Sequence, residues 1–221
     1  MIRSLDSMLG SSIVATDGEI GKVYNIFFDD RLWGVRYLVV ETGSWLMRRK
    51  VLIPPAVLGR PNWGANTIPV FLTKEQVQHS PDVDTDQPVS RQQQVAMIKH
   101  YGCHDHLGME PFPPPTVADP LEFESETALE TEGDPHLRSA KEVSSYSVEA
   151  VDGTLGTVVD YIIGDEGWGI PDLVVSVERL PKDQTILIPT QWVFDISWED
   201  RRVRLNQSRE TCMDPSFLTE G

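Results

Sequence analysis

Cysteine is nearly absent from this chain. Cys103 and Cys212 stand about half the sequence apart in unlike surroundings, too few and too scattered for a disulfide framework or a four-cysteine zinc site. Both read as free thiols. Long apolar runs are missing too: no stretch approaches the roughly 18–20 residues that span a bilayer. The first residues lack the continuous apolar core of a secretory signal. The expected location is therefore cytoplasmic, with no transmembrane segment. Positive charge is scarce, with 19 Lys and Arg against 34 Asp and Glu in 221 residues, a net charge of −15. A nucleic-acid backbone is repelled by such a surface, which argues for no nucleic-acid partner. Enzyme signatures are missing as well: there is no G-x-S-x-G elbow, no phosphate-binding loop, no G-x-G-x-x-G after a strand and no H-E-x-x-H. Gly164, Gly167 and Gly169 have the wrong spacing and enclose Asp165 and Glu166 where a phosphate would sit. No catalytic residue and no cofactor is assigned, and the expectation is a non-enzymatic protein.

Proline and glycine are plentiful, 16 of each, which points to turns and short elements rather than long helices. The chain also contains itself twice. Asp17-Gly18-Glu19-Ile20-Gly21-Lys22-Val23 returns as Asp152-Gly153-Thr154-Leu155-Gly156-Thr157-Val158, an offset of 135 residues. The same offset carries Trp33-Gly34 to Trp168-Gly169, Leu38-Val39-Val40 to Leu173-Val174-Val175, and Leu52-Ile53-Pro54 to Leu187-Ile188-Pro189. Each copy reads as short strands. Ile13 to Thr16 and Val23 to Phe28 flank an Asp-Gly turn, where glycine supplies the backbone freedom of a hairpin. Val35 to Thr42 and Ile170 to Val177 are β-branched runs entered through Trp-Gly. Val51 to Ile53 and Ile186 to Ile188 stop at Pro54 and Pro189, which cannot donate to a ladder. A fifth strand is predicted at Ile68 to Leu72 and at Val203 to Leu205, with a helical turn at Thr73 to His79 and at Gln207 to Cys212. Five or six such strands hide one face and most of their edge by curling into a barrel.

The predicted fold class is all-β: two small β-barrels, each with a short C-terminal helical turn. The first spans 1–81 and the second 139–215, with a C-terminal tail at 216–221. Between them lie residues 82–138; from Pro81 to Arg138 the chain holds half of its prolines and a run of carboxylates, a composition unable to offset its ordering entropy by burial. This stretch reads as an acidic linker, cut first by protease between Pro111 and Arg138. Residues 90–101 within it, from a serine cap to the residue before Gly102, read as a short helix. Whether the barrels pack together or self-associate is left open by the sequence.

The pattern D-G-x-[IL]-G-x-V, then W-G, L-V-V and L-I-P, resembles the PRC-barrel family, named for the cytoplasmic domain of the photosynthetic reaction-centre H subunit. A related barrel forms the C-terminal half of the ribosome-maturation factor RimM. The resemblance covers roughly residues 4–81 and 139–215 and is nearer in the first copy. It implies a small barrel used mostly for protein contacts, with no catalytic motif. By analogy it also raises an accessory role in reaction-centre or ribosome assembly.

Asp17, Gly18, Gly21, Asp152, Gly153, Gly156, Trp33, Gly34, Trp168, Gly169, Pro54 and Pro189 are read as structural turn positions, with Trp33 and Trp168 as barrel plugs. Asp29-Asp30 and Asp165-Glu166 are read as turn chemistry rather than paired acids. Trp45, Trp63 and Trp198, with the basic Arg48 and Arg49, are the candidates for contact with a protein partner. His100, Cys103, His104 and His106 form the one candidate metal cluster, whose spacing fits no standard zinc signature. The leading reading is a protein-interaction or scaffold module; the second is a ligand or metal binder using that cluster.

Overall fold

A computed structural model describes residues 2–81, 97, 100, 101, 136–164, 167–177, 184–214 and 218–220. Its first sheet grows from the Asp17-Gly18 turn, where Gly18 adopts φ +135°. The turn joins β2 (Ser12–Ala15) to the 12-residue β3 (Gly18–Asp29). β4 (Gly34–Thr42) and β5 (Lys50–Ile53) continue the sheet antiparallel, and β6 (Thr67–Pro69) pairs in parallel with β2. After Pro54 a 3-10 turn, Pro55–Val57, swings the chain to the far edge. There Phe71 N–H donates to Val57 O (2.8 Å) and Gly59 N–H to Pro69 O (2.8 Å). The continuation of β5 thus meets β6, and the sheet curls on itself, which removes edge.

The second sheet repeats this path 135 residues later: β8 (Ser147–Ala150), β9 (Gly153–Gly164), β10 (Asp172–Ser176) and β11 (Gln184–Pro189). A 3-10 turn, Thr190–Trp192, leads to β12 (Val193–Ser197), which pairs with β13 (Arg202–Leu205). β13 lies parallel to β8. A last strand, β14 (Leu218–Glu220), adds to the edge of β11. The helical turns are α1 (Lys74–Gln78), closed by a capping box on Thr73, α2 (Ala140–Val143) and α3 (Arg209–Cys212), each capped by a serine. Two small curled β units result, as the composition and repeat predict.

Two short strands that the pattern reading did not identify join the units. β1 (Ile2–Ser4) pairs with β9 of the second sheet, Ile2 against Gly164, and β7 (Leu137–Ser139) pairs with β3 of the first, Leu137 against Asp29. Each unit therefore contributes its leading strand to the other. The registers are related by the same offset of 135. At the centre of this exchange Val35 N–H donates to Trp168 O (2.8 Å) and Ile170 N–H donates to Trp33 O (2.7 Å). Ile170 is thereby drawn out of the strand predicted at Ile170 to Val177, and β10 begins at Asp172. Leu137 and Arg138, placed by composition in the connecting segment, lie in β7. Their polar neighbours masked a three-residue strand that carries no alternating pattern. Of the predicted 90–101 helix, Met97, His100 and Tyr101 are described and helical; the rest of it lies outside the described residues, as does most of the stretch read as linker.

One contiguous core runs through both units, from Ile13, Leu38 and Ile53 to Leu173, Val175 and Ile188. Phe28 and Tyr161 meet across it with ring centroids 5.6 Å apart, and the buried Tyr161 hydroxyl donates to Ala140 O at 2.9 Å. Burial holds that phenol well above its ordinary pKa. Backbones approach closest at Gly21 and Gly156, where a Cβ would fall on the carbonyl oxygens of Glu41 and Ser176. Gly21→Ala and Gly156→Ala are each expected to destabilise the protein by about 3 kcal/mol, read as a lower urea midpoint. The exchanged strands generate a second expectation. With a protease site inserted at residue 120, the cleaved fragments should still elute together in native size-exclusion chromatography and separate only in denaturant.

Candidate interaction faces

Asp17 and Asp152 do more than turn the chain. The Asp17 carboxylate accepts Lys74 N–H (2.9 Å) and that of Asp152 accepts Arg209 N–H (2.8 Å), so each hairpin holds the first residue of its unit's helical turn. Arg209 Nε adds an ion pair to Asp152 at 3.4 Å. Trp33 and Trp168 sit at φ +50° and +56°, and their carbonyls accept the two bonds that cross the seam. Gly34 and Gly169 bridge each other there. The Trp33 ring stacks on Phe28 at 5.5 Å. Pro54 and Pro189 stand at the entry of the two 3-10 turns.

The carboxylates of Asp29 and Asp30 divide their work. Asp29 Oδ1 accepts the N–H groups of Arg31 and Leu32, both at 2.9 Å, the turn chemistry read from sequence. Asp30 faces the other unit's leading strand and pairs with His136 (2.9 Å) and Arg138 (2.5 Å). Asp165 and Glu166 lie outside the described residues.

The aromatic and basic candidates are dispersed. Trp45 Nε1 donates to Ile20 O at 2.7 Å, with the Lys74 ammonium 5.6 Å from its ring. Trp63 packs against the core under the Arg3 guanidinium, 4.8 Å away. Trp198 is 63% exposed, and its indole donates to Glu142 at 2.7 Å. Arg49 binds the carbonyls of Gln78 and Ser80, whereas Arg48 is exposed on a turn at φ +56°. His100 Nε2 lies 2.6 Å from Gln76 O; Cys103, His104 and His106 lie outside the described residues. Among the described residues no group of three or more His, Cys, Asp or Glu side chains is placed to hold a metal, and no helix is long and apolar enough to cross a membrane. Cys212 is buried, and burial with the nearby Asp152 charge pushes its thiol up to about 11.

What sequence reasoning missed is a pair of outward sheet faces. On the first unit Phe27, Tyr37, Val39, Leu52 and Leu137 form an outer apolar cluster, and Met97, 1% exposed, closes over it with Tyr101 alongside. The corresponding face of the second unit carries Ile2, Val159, Ile162, Val174 and Leu187, all partly or fully exposed, with Ile2 66% and Val159 40% open to solvent. The signal was available: the offset of 135 places Tyr24 over Val159 and Phe27 over Ile162.

Hydrogen bonding holds the Asp152 carboxyl below its ordinary value of 3.8, with the Arg209 backbone N–H as the main cause. A carboxyl lowered on folding contributes stability above its ordinary pKa and loses that contribution as pH falls through the folded value. Stability of the wild type should therefore fall more steeply below about pH 4 than that of Asp152→Asn, measured by urea titration across pH 2–6.

Comparison with curated proteins returned no significant match. Residues 2–77, which run from β1 into the helical turn α1, match the family model of the PRC-barrel domain. Strands β2 to β6, the Asp-Gly hairpin and all but the last residue of α1 lie within those bounds. Over residues 2–77, about a third of its length, this chain is similar to the PRC-barrel domain.

Proposed function

We propose that the protein is a non-enzymatic interaction scaffold of the cytoplasm, in which a duplicated pair of barrels holds a protein partner in a fixed position. The observation that carries this reading is the unequal treatment of two equivalent faces. The first is covered by side chains from the protein's own connecting segment, Met97 and Tyr101. The second leaves Ile2 and Val159 open. Solvent-facing apolar side chains gathered on one sheet face, rather than scattered singly, are a feature of contact sites. The exchanged strands favour a scaffold role, because a body with a shared core presents its faces at a set distance and angle. The family resemblance, which implies use in protein contacts, supports the same reading.

The test is photo-crosslinking from a benzophenone side chain placed at residue 159 and, as a control, at the exposed Met47, in native lysate. The expected result is one discrete adduct at residue 159 that excess unlabelled protein competes away, and none at residue 47. Identical diffuse labelling at both positions would refute the reading.

A further inference from the structure

The open face differs from its covered counterpart most in charge. Where the first unit has Lys141, Asn25 and Tyr37, the second has Asp6, Asp160 and Asp172 at the matching positions. In the first unit the Lys50 and Lys141 ammonium groups each lie 4.3 Å from the Tyr24 ring, and the Asn25 side chain donates to Ser139 at 2.9 Å and accepts Lys141 N–H at 3.1 Å. In the second unit Asp160 accepts from the Ser4 hydroxyl and from Asp6 N–H. Strand register keeps these groups on one face: Asp172 stands opposite Ile162, and Val174 opposite both Asp160 and Leu187. None of the three carboxylates has a basic side-chain partner among the described residues. Burial raises the carboxyls of Asp172 and Asp6, and for Asp6 the Asp160 charge adds to it. Asp160 and Asp172 are partly buried and Asp6 is exposed; carboxylates without a basic partner beside an apolar strip are stabilised by an arriving cation.

Resting on the interaction reading above, we propose that this face docks a basic amphipathic helix of a partner protein. Its apolar side would lie on Val159, Ile162 and Val174, and its lysine or arginine side chains would meet Asp6, Asp160 and Asp172. Two observations select this occupant. The matching face is already covered by helical residues, Met97 and Tyr101, which stand four apart and so share one side of a helix. The charge selects a basic partner and disfavours a second copy of the chain, since two such faces brought together would oppose six carboxylates without a counterion. Helix-in-groove docking of this kind reads apolar anchors at three- and four-residue spacing.

The experiment titrates the full chain into a fluorescein-labelled synthetic helix with leucines along one side and lysines along the other, and into its isomer with glutamates for lysines, following anisotropy. The lysine peptide is expected to bind saturably and more weakly as salt rises, and the glutamate peptide not to bind. Val159→Glu should weaken the lysine peptide by about tenfold or more, and Met47→Glu should leave it unchanged. Asp172→Lys should lose lysine-peptide affinity and gain affinity for the glutamate peptide, a gain that misfolding does not produce. Absence of lysine-peptide binding, equal binding of both peptides, or affinities unmoved by Val159→Glu and Asp172→Lys would overturn the proposal. So would sedimentation of the wild type as a dimer that Val159→Glu dissociates, which would make a second copy the occupant. A competable adduct at residue 159 without peptide binding refutes this partner class alone; absence of both refutes the interaction reading as well.

Discussion

Four peptide groups at the seam set the arrangement on which the rest depends. Val35 and Ile170 donate across it to the carbonyls of Trp168 and Trp33, and those carbonyls face the right way because both tryptophans adopt a left-handed backbone. That conformation is uncommon for a bulky residue and persists only where its surroundings over-determine it. Here the surroundings are the Phe28 ring under Trp33 and the two leading strands, each hydrogen-bonded into the opposite unit. Burial then follows, since the core that spans both units needs Phe28 and Tyr161 brought to one place.

Much of the fold was legible in the chain. The repeat at an offset of 135, the Asp-Gly hairpins and the proline-terminated strands predicted the two curled units and the helical turns. The glycines at 21 and 156 were read as turn positions, whereas their main role is to let a neighbouring carbonyl approach. β1 and β7 were not legible, because three-residue strands such as Ile-Arg-Ser and Leu-Arg-Ser leave too short a run for period-two alternation to register. The exchange was beyond reach for a related reason: local pattern reports that a strand exists, while its partner is chosen by long-range register.

The candidate site was less legible than the fold. Tryptophan and arginine were sought as contact residues on composition, yet Trp45 is bonded to Ile20, Trp63 packs on the shared core under Arg3 of β1, and Arg49 binds two carbonyls. The face that stands open is built from valine, isoleucine and leucine, residue types that read as core in any strand. Only comparing the two copies position by position separates them, since a tyrosine in one copy and an aspartate in the other, at 37 and 172, cannot both be filling the same kind of site.

The exchange of leading strands also orders events in time. β3 forms its hairpin from residues made early, but the strand that covers its Phe27–Asp29 edge is Leu137–Ser139, which is synthesised more than a hundred residues later. An exposed strand edge is a template for wrong pairings. Through that interval the nascent first barrel carries an unpaired edge flanked by Phe27 and Phe28, so the chain's exposure to misassembly is set by how quickly translation reaches residue 139 rather than by the stability of the finished barrel.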